Sequence, residues 1–209
     1  MEKMLVTQAL NELKLLDGRI DRAISTGRFV TSAKLIEKKV NSITTKEEFS
    51  ELAKASIQSA NDLIERRKKI KAAVVVSNAK TTVDVNGVMM TVADAIERKN
   101  SIEYEEDLLA KLKSQLSDAN NTVMRKNIDM EVQINKIIEA SYGKDSKQKI
   151  NPEDYDAIAK PYKLNNEYGL VDPLGIENLI RKMEEDIQGF KSNVDSALQI
   201  SNCTTYIEF

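Results

Sequence analysis

Two stretches of this 209-residue chain carry the same polar side chains at the same spacing: Ser77-Asn78-Ala79-Lys80-Thr81-Thr82 and Ser201-Asn202-Cys203-Thr204-Thr205. Each follows a long helical pattern and precedes a short extended one, and two readings compete. Asn tolerates the left-handed conformation that ends a helix, and Thr hydroxyls satisfy freed backbone groups, so each stretch is a helix stop. On the other reading, two polar helix ends converge and offer amides and hydroxyls to a small polar ligand. Arg67 bears on the choice. Counting by three and four from Ala60 gives Leu63, Arg67, Ile70 and Val74, which puts a guanidinium in an otherwise apolar seam. Such an arginine bends out to water, pairs with a carboxylate or faces an anion.

The composition removes most other chemistry. There is no His, so triads built on a His base and His-ligated metal sites are excluded, and one Cys leaves no thiolate zinc site within the chain. The acidic runs Glu103-Glu105-Glu106-Asp107 and Glu184-Glu185-Asp186 lack the Glu-x-x-His spacing of a di-metal bundle and read as solvated helix faces. Neither Gly-x-x-x-x-Gly-Lys nor Gly-x-Gly-x-x-Gly occurs, so the usual phosphate loops are missing. Cys203 has no base in sequence range and is assigned to packing. No catalytic residue, metal or cofactor is expected. Lys plus Arg total 31 against 33 Asp plus Glu, a balance with no field to hold nucleic acid. The longest apolar run, Ala72 to Val76, is far short of the ~20 residues that span a bilayer, and no secretory pattern opens the chain. The expected setting is a reducing cytoplasm, bacterial or phage-infected, without membrane contact.

The elements that position these residues are mainly helical. Charged residues at 31%, aromatics at 5%, seven Gly and three Pro suit long helices packed on narrow stripes, not a turn-rich sheet. A first helix is expected from about Glu2 to Ile24, striped by Leu5, Ala9, Leu13, Leu16, Ile20 and Ile24. Residues 25–44 break the pattern, and Phe29-Val30 suits a short strand. Thr45-Lys46-Glu47-Glu48 is a capping box opening a helix to about Ser77. Val83-Asp84-Val85-Asn86-Gly87-Val88 lies within a β-hairpin over 81–91, Asn-Gly supplying its turn and Met89-Met90 covering the apolar layer beneath it. Thr91 and Asp94 cap a third helix running toward Gly143 with Ile128 and Val132 on its stripe; its continuity past Asn120-Asn121 stays open. If unbroken it is a rod of roughly 75 Å that needs partners along its length.

Residues 143–175 read as an irregular insertion. Asn151-Pro152 starts a helix that Pro161 should end within about nine residues, and Asp172-Pro173 repeats the start signal. Ile176, Ile180, Met183, Ile187, Phe190 and Val194 then step as a coiled-coil seam, and 204–209 alternate like a short terminal strand. The fold class is therefore mainly α: long antiparallel helical hairpins or coiled coil with a small β-hairpin and a C-terminal strand, in one elongated domain over 1–209.

The order of these features, carried by Asn78, Thr81, Thr82, Gly87, Thr91, Ala93, Asp94, Ala95, Arg98, Asn202 and Thr205, resembles the septicolysin-like family of small bacterial and phage proteins, which has no established activity. The resemblance covers most of the chain except an apparent insertion from Lys144 to Pro173. It implies a helical hairpin fold that assembles into homo-oligomers. The functional expectation is a non-catalytic oligomer enclosing a polar pocket, in which Arg67, Asn78, Thr81, Thr82 and Arg98 meet Asn202, Thr204 and Thr205. Arginines and hydroxyls suit an anionic, nucleotide-like ligand, and in a phage such a protein would be a sponge for a host immune signal. The alternative is a structural or adaptor coiled coil with no small-molecule ligand.

Overall fold

The structure, a computed structural model, describes residues 2–143 and 151–209. Among the described residues it is mainly helical, with five helices and two two-stranded antiparallel sheets. The chain forms two compact bodies: residues up to Asn100 together with Gly189–Phe209, and Ser101–Gln188.

In the first body, strand β1 (Lys3–Leu5) leads into helix α1 (Val6–Thr26), which packs on helix α2 (Lys46–Lys80). Ala9, Leu13 and Leu16 of the anticipated stripe are buried and meet Ile70 and Val74 of α2, with Val6 and Ile207 completing the cluster. Burial of side chains such as Leu16 and Ile70 is worth about 1.5–3 kcal/mol each. The expected helix start at Glu2 is corrected: Lys3–Leu5 is a strand, because its backbone pairs with strand β4 (Tyr206–Glu208) in the register Lys3 to Glu208, Met4 to Ile207 and Leu5 to Tyr206. Ile24, at the far end of the stripe, is exposed. Phe29-Val30 forms no strand; the Phe29 ring lies over Gly27, so close that a Cβ there would collide with it. The capping box forms as read, Thr45 Oγ1 accepting from the Glu48 N–H at 3.1 Å and Glu48 accepting from the Thr45 N–H at 2.8 Å. Helix α2 runs on to Lys80, one turn beyond the expected Ser77.

The hairpin is present, with strands β2 (Thr82–Val85) and β3 (Val88–Thr91) joined by Asn86 and Gly87 at φ 56° and 81°. Two successive positive φ values define the turn whose twist matches the strands. Val83 and Val85 face inward, whereas Met89 is exposed, so β2 and not Met89 supplies the apolar layer. Helix α3 (Val92–Tyr142) follows, capped by Thr91 and Asp94, and it continues through Asn120-Asn121. Helix α5 (Ile176–Thr204) closes the body and leads into β4.

In the second body, Met130, Ile134 and Ile138 of α3 pack on helix α4 (Pro152–Asn166) through Ala159, Tyr155, Ile158 and Tyr162. Ile128 and Val132 fall off this stripe and are exposed. The seam position is Asn127, whose amide exchanges two 2.9 Å hydrogen bonds with the Tyr168 backbone. Pro161 does not end α4. Tyr155, Ile158, Ala159 and Tyr162 pack on α3 from both sides of the proline, and this tertiary anchoring outweighs the lost backbone bond. The irregular reading of 143–175 thus gives way to a helix over Pro152–Asn166, while 144–150 lie outside the described residues. Pro173 is not the first residue of a helix either; α5 starts at Ile176, with Asp172 accepting from the N–H groups of Leu174 and Ile176. Ile180, Ile187, Phe190 and Val194 of its seam are buried, and Ile176 and Met183 are half-buried.

The turn makes a specific claim. Asp84 is exposed but accepts from the Gly87 N–H at 2.7 Å, so it is not simply a solvated residue. Asp84→Ala should cost about 1 kcal/mol. Gly87→Val adds a β-branched Cβ at positive φ and should cost more, about 2 kcal/mol. Urea denaturation of both variants checks the order.

Candidate functional site

The two Ser-Asn-x-x-Thr segments are one structural element used twice. At the end of α2 the Thr81 N–H donates to the Ser77 carbonyl at 2.8 Å; at the end of α5 the Thr205 N–H donates to the Ser201 carbonyl at 2.9 Å. The Thr81 carbonyl then accepts from Val92, the first residue of α3, at 2.9 Å, and the Thr205 carbonyl accepts from Val6, the first residue of α1, also at 2.9 Å. Each helix therefore ends in a strand that pairs antiparallel with the strand opening another helix. The correspondence extends outward. Val83 matches Ile207, Ile70 matches Val194, Val92 matches Val6 and Ala95 matches Ala9, and all eight are buried. At the helix starts Asp94 accepts from Thr91, and Gln8 Oε1 accepts from the Leu5 N–H at 3.0 Å.

Thr81 and Thr205 are brought together. They line one open groove at the C-terminal end of α2 with Ser77, Lys80, Lys69 and Glu208, over an apolar floor that includes Val76 and Phe209. Lys69 and Lys80 form no ion pair among the described residues. The carbonyl end of a helix carries partial negative charge, which suits Lys80 and opposes a bound anion.

The remaining candidates lie elsewhere. Asn78 and Asn202 are half-buried in the last turns of α2 and α5. Thr82 is exposed at the start of β2, opposite Thr91. The Thr204 hydroxyl donates back to the Ile200 carbonyl at 2.9 Å. Arg67 pairs through Nε with Asp17 of α1 and lines a separate groove. Arg98 sets its guanidinium 4.5 Å from the centre of the Phe190 ring. Neither arginine lines the groove that holds Thr81 and Thr205.

The residue that the sequence reading passed over is Arg66. Its two terminal nitrogens hold both oxygens of Glu2 at 2.9 Å, its Nε donates to Glu12, and its guanidinium lies 5.7 Å from the Phe209 ring centre. One side chain thereby ties α2 to α1 and to the residues flanking both β1 and β4. These partners lie far apart in the chain, so no spacing announces them. The repeat alone carries a signal, since Arg66 with Glu12 stands where Phe190 with Arg98 stands in the other half.

Among the described residues no group of three His, Cys, Asp or Glu side chains is placed to hold a metal, and no helix is long and apolar enough to cross a membrane. Cys203 is exposed, its Sγ 3.5 Å from the Thr7 hydroxyl. No protein-family model, curated protein or solved structure matches the chain.

The Arg66 guanidinium holds the Glu2 carboxyl below the usual carboxylate range, and Glu2 and Glu12 in turn raise the pKa of Arg66. A depressed carboxyl pKa gives stability that is present above the unfolded-state value and is lost as pH falls through the folded-state value. Arg66→Met should therefore lower Tm by a few degrees at neutral pH. The gap from wild type should narrow as pH falls below about 4, where glutamates protonate. Glu48 is also depressed, by its Thr45 hydrogen bonds, and contributes equally to both proteins, so the difference between melting curves isolates Arg66.

Proposed function

We propose that this protein is a non-catalytic structural or adaptor module that works by self-association. The observation that carries the reading is where its apolar surface lies. Leu52, Ile57, Ile64, Val75 and Val76 of α2 are each 41% or more exposed, on a helix that packs on α1 through Ile70 and Val74 and leaves these side chains uncovered. Covering such surface is favourable by roughly 25 cal/mol per Å². Of the polar side chains considered for ligand binding, Arg67 pairs with Asp17, Arg98 lies on Phe190 and the Thr204 hydroxyl returns to Ile200, while Thr81 and Thr205 are engaged through their backbones. A homo-oligomer is also what the septicolysin-like resemblance implies.

A second reading rests on a different observation. Lys69 and Lys80 flank Ser77, Thr81 and Thr205 without ion-pair partners among the described residues, an arrangement that would attract a small anion. On that reading the protein sequesters a nucleotide-like molecule, as a sponge in a phage-infected bacterial cytoplasm would, against the unfavourable helix dipole.

Two measurements on the purified chain separate them. Light scattering at micromolar concentration should return at least twice the 23.5 kDa chain mass, and nucleotides, cyclic dinucleotides and ADP-ribose derivatives should leave Tm unchanged. A monomer whose Tm rises with one of these anions, and whose rise is lost in Lys69→Ala or Lys80→Ala, would establish the second reading instead.

A further inference from the structure

We infer that the groove between α1 and α2 is a two-fold interface that takes a second copy of this chain, an inference that rests on the self-association reading and gives it a surface. The floor of the groove is Ile20, Ile64, Ala72 and Val75, and its rims are charged, Asp17 and Asp21 on α1 against Arg67, Lys68 and Lys71 on α2. Helices α1 and α2 run antiparallel here, since Thr81 at the end of α2 shares a groove with Thr205, whose carbonyl holds the first residue of α1.

This geometry makes the charge pattern self-complementary. The Asp17–Arg67 pair bridges the groove, and Asp21 and Lys71 each lie four residues further along their own helices. Because the helices are antiparallel, those steps of roughly 6 Å run in opposite directions. Asp21 and Lys71 are exposed and neither forms an ion pair among the described residues. A two-fold axis through the Asp17–Arg67 pair, perpendicular to the line joining Asp21 and Lys71, sets each of these residues against its opposite in the second copy. An isologous contact needs this property, a patch that complements itself.

The internal repeat supplies a control. Where α2 has Lys71, Ala72 and Val75, α5 has Asp195, Ser196 and Gln199, all exposed, with Asp195 paired to Lys99. The buried positions of the two helices stay apolar in both, as at Ile70 and Val194. Val76 and its counterpart Ile200 are exposed and apolar in both helices, but the junction folds with polar residues at these three α5 positions, so Ala72, Val75 and the unpaired Lys71 are not a requirement of the fold. They are matched to an occupant, and the charges identify that occupant as the same chain.

Charge reversal tests this. Asp21→Lys and Lys71→Asp should each weaken the wild-type dimer at least tenfold in sedimentation equilibrium, because each places like charges together at both ends of the contact. Mixed one to one, the two variants should recover association as a heterodimer. At one end of that contact the lysine introduced at position 21 faces the aspartate introduced at position 71, and at the other a native Lys71 faces a native Asp21. Recovery also shows that both variants are folded. If the single variants associate as the wild type does, or the mixture fails to recover, the interface lies elsewhere and the inference is wrong while the self-association reading stands. A wild type that is monomeric at tens of micromolar overturns both.

Discussion

Two backbone hydrogen bonds govern the first body: Thr81 carbonyl to Val92 N–H and Thr205 carbonyl to Val6 N–H, each 2.9 Å. Each takes an acceptor freed where one helix stops and gives it to a donor exposed where another starts, so the ends of four helices satisfy one another. A buried backbone group without a partner costs as much as a lost hydrogen bond, which makes this exchange a condition for closing the structure. The rest follows from it. Strand register is fixed next to each junction, Val83 and Ile207 are directed inward, Val6 and Val92 are buried at the junctions, and Ala9 and Ala95 are buried one helical turn further in. Arg66 then braces one of the two junctions from the side.

That constraint also explains the polar repeat. Each segment must stop a helix, turn its backbone and begin a strand within five residues, and it does so through the same backbone bonds, Thr81 N–H to Ser77 and Thr205 N–H to Ser201, with the Thr204 hydroxyl also returning to the Ile200 carbonyl. Both strands enter the same body, and Thr81 and Thr205 line one groove. The same composition would serve a binding pocket, which is why residue types alone gave two readings. In the structure Arg67 turns to Asp17 and Arg98 to Phe190, and neither guanidinium lines the groove that holds Thr81 and Thr205.

Local features were the legible ones. The Thr45 capping box, the Asn86-Gly87 turn, the Thr91–Asp94 cap and the α5 seam depend on neighbours within a few residues, and each stands where the pattern puts it. Long-range pairing was not legible. Lys3–Leu5 reads as helix because nothing nearby reveals that β4 will pair with it, and Arg66 does not stand out because Glu12 comes from another helix and Glu2 from the residue before its leading strand. Pro161 shows the opposite failure, a strong local signal overridden by packing on Met130, Ile134 and Ile138. At the candidate site, the meeting of Thr81 and Thr205 was foreseeable from the repeat, whereas the diversion of both arginines into tertiary contacts was not.

Native-state hydrogen exchange at two amides, Val6 and Val92, tests the doubled junction most directly. In protein stripped of small molecules both amides should exchange slowly and on the same timescale, because each is held by a threonine carbonyl in the free chain. Fast exchange at either amide, or protection that emerges only when a small anion is added, would contradict the account and return the two segments to the role of a ligand site.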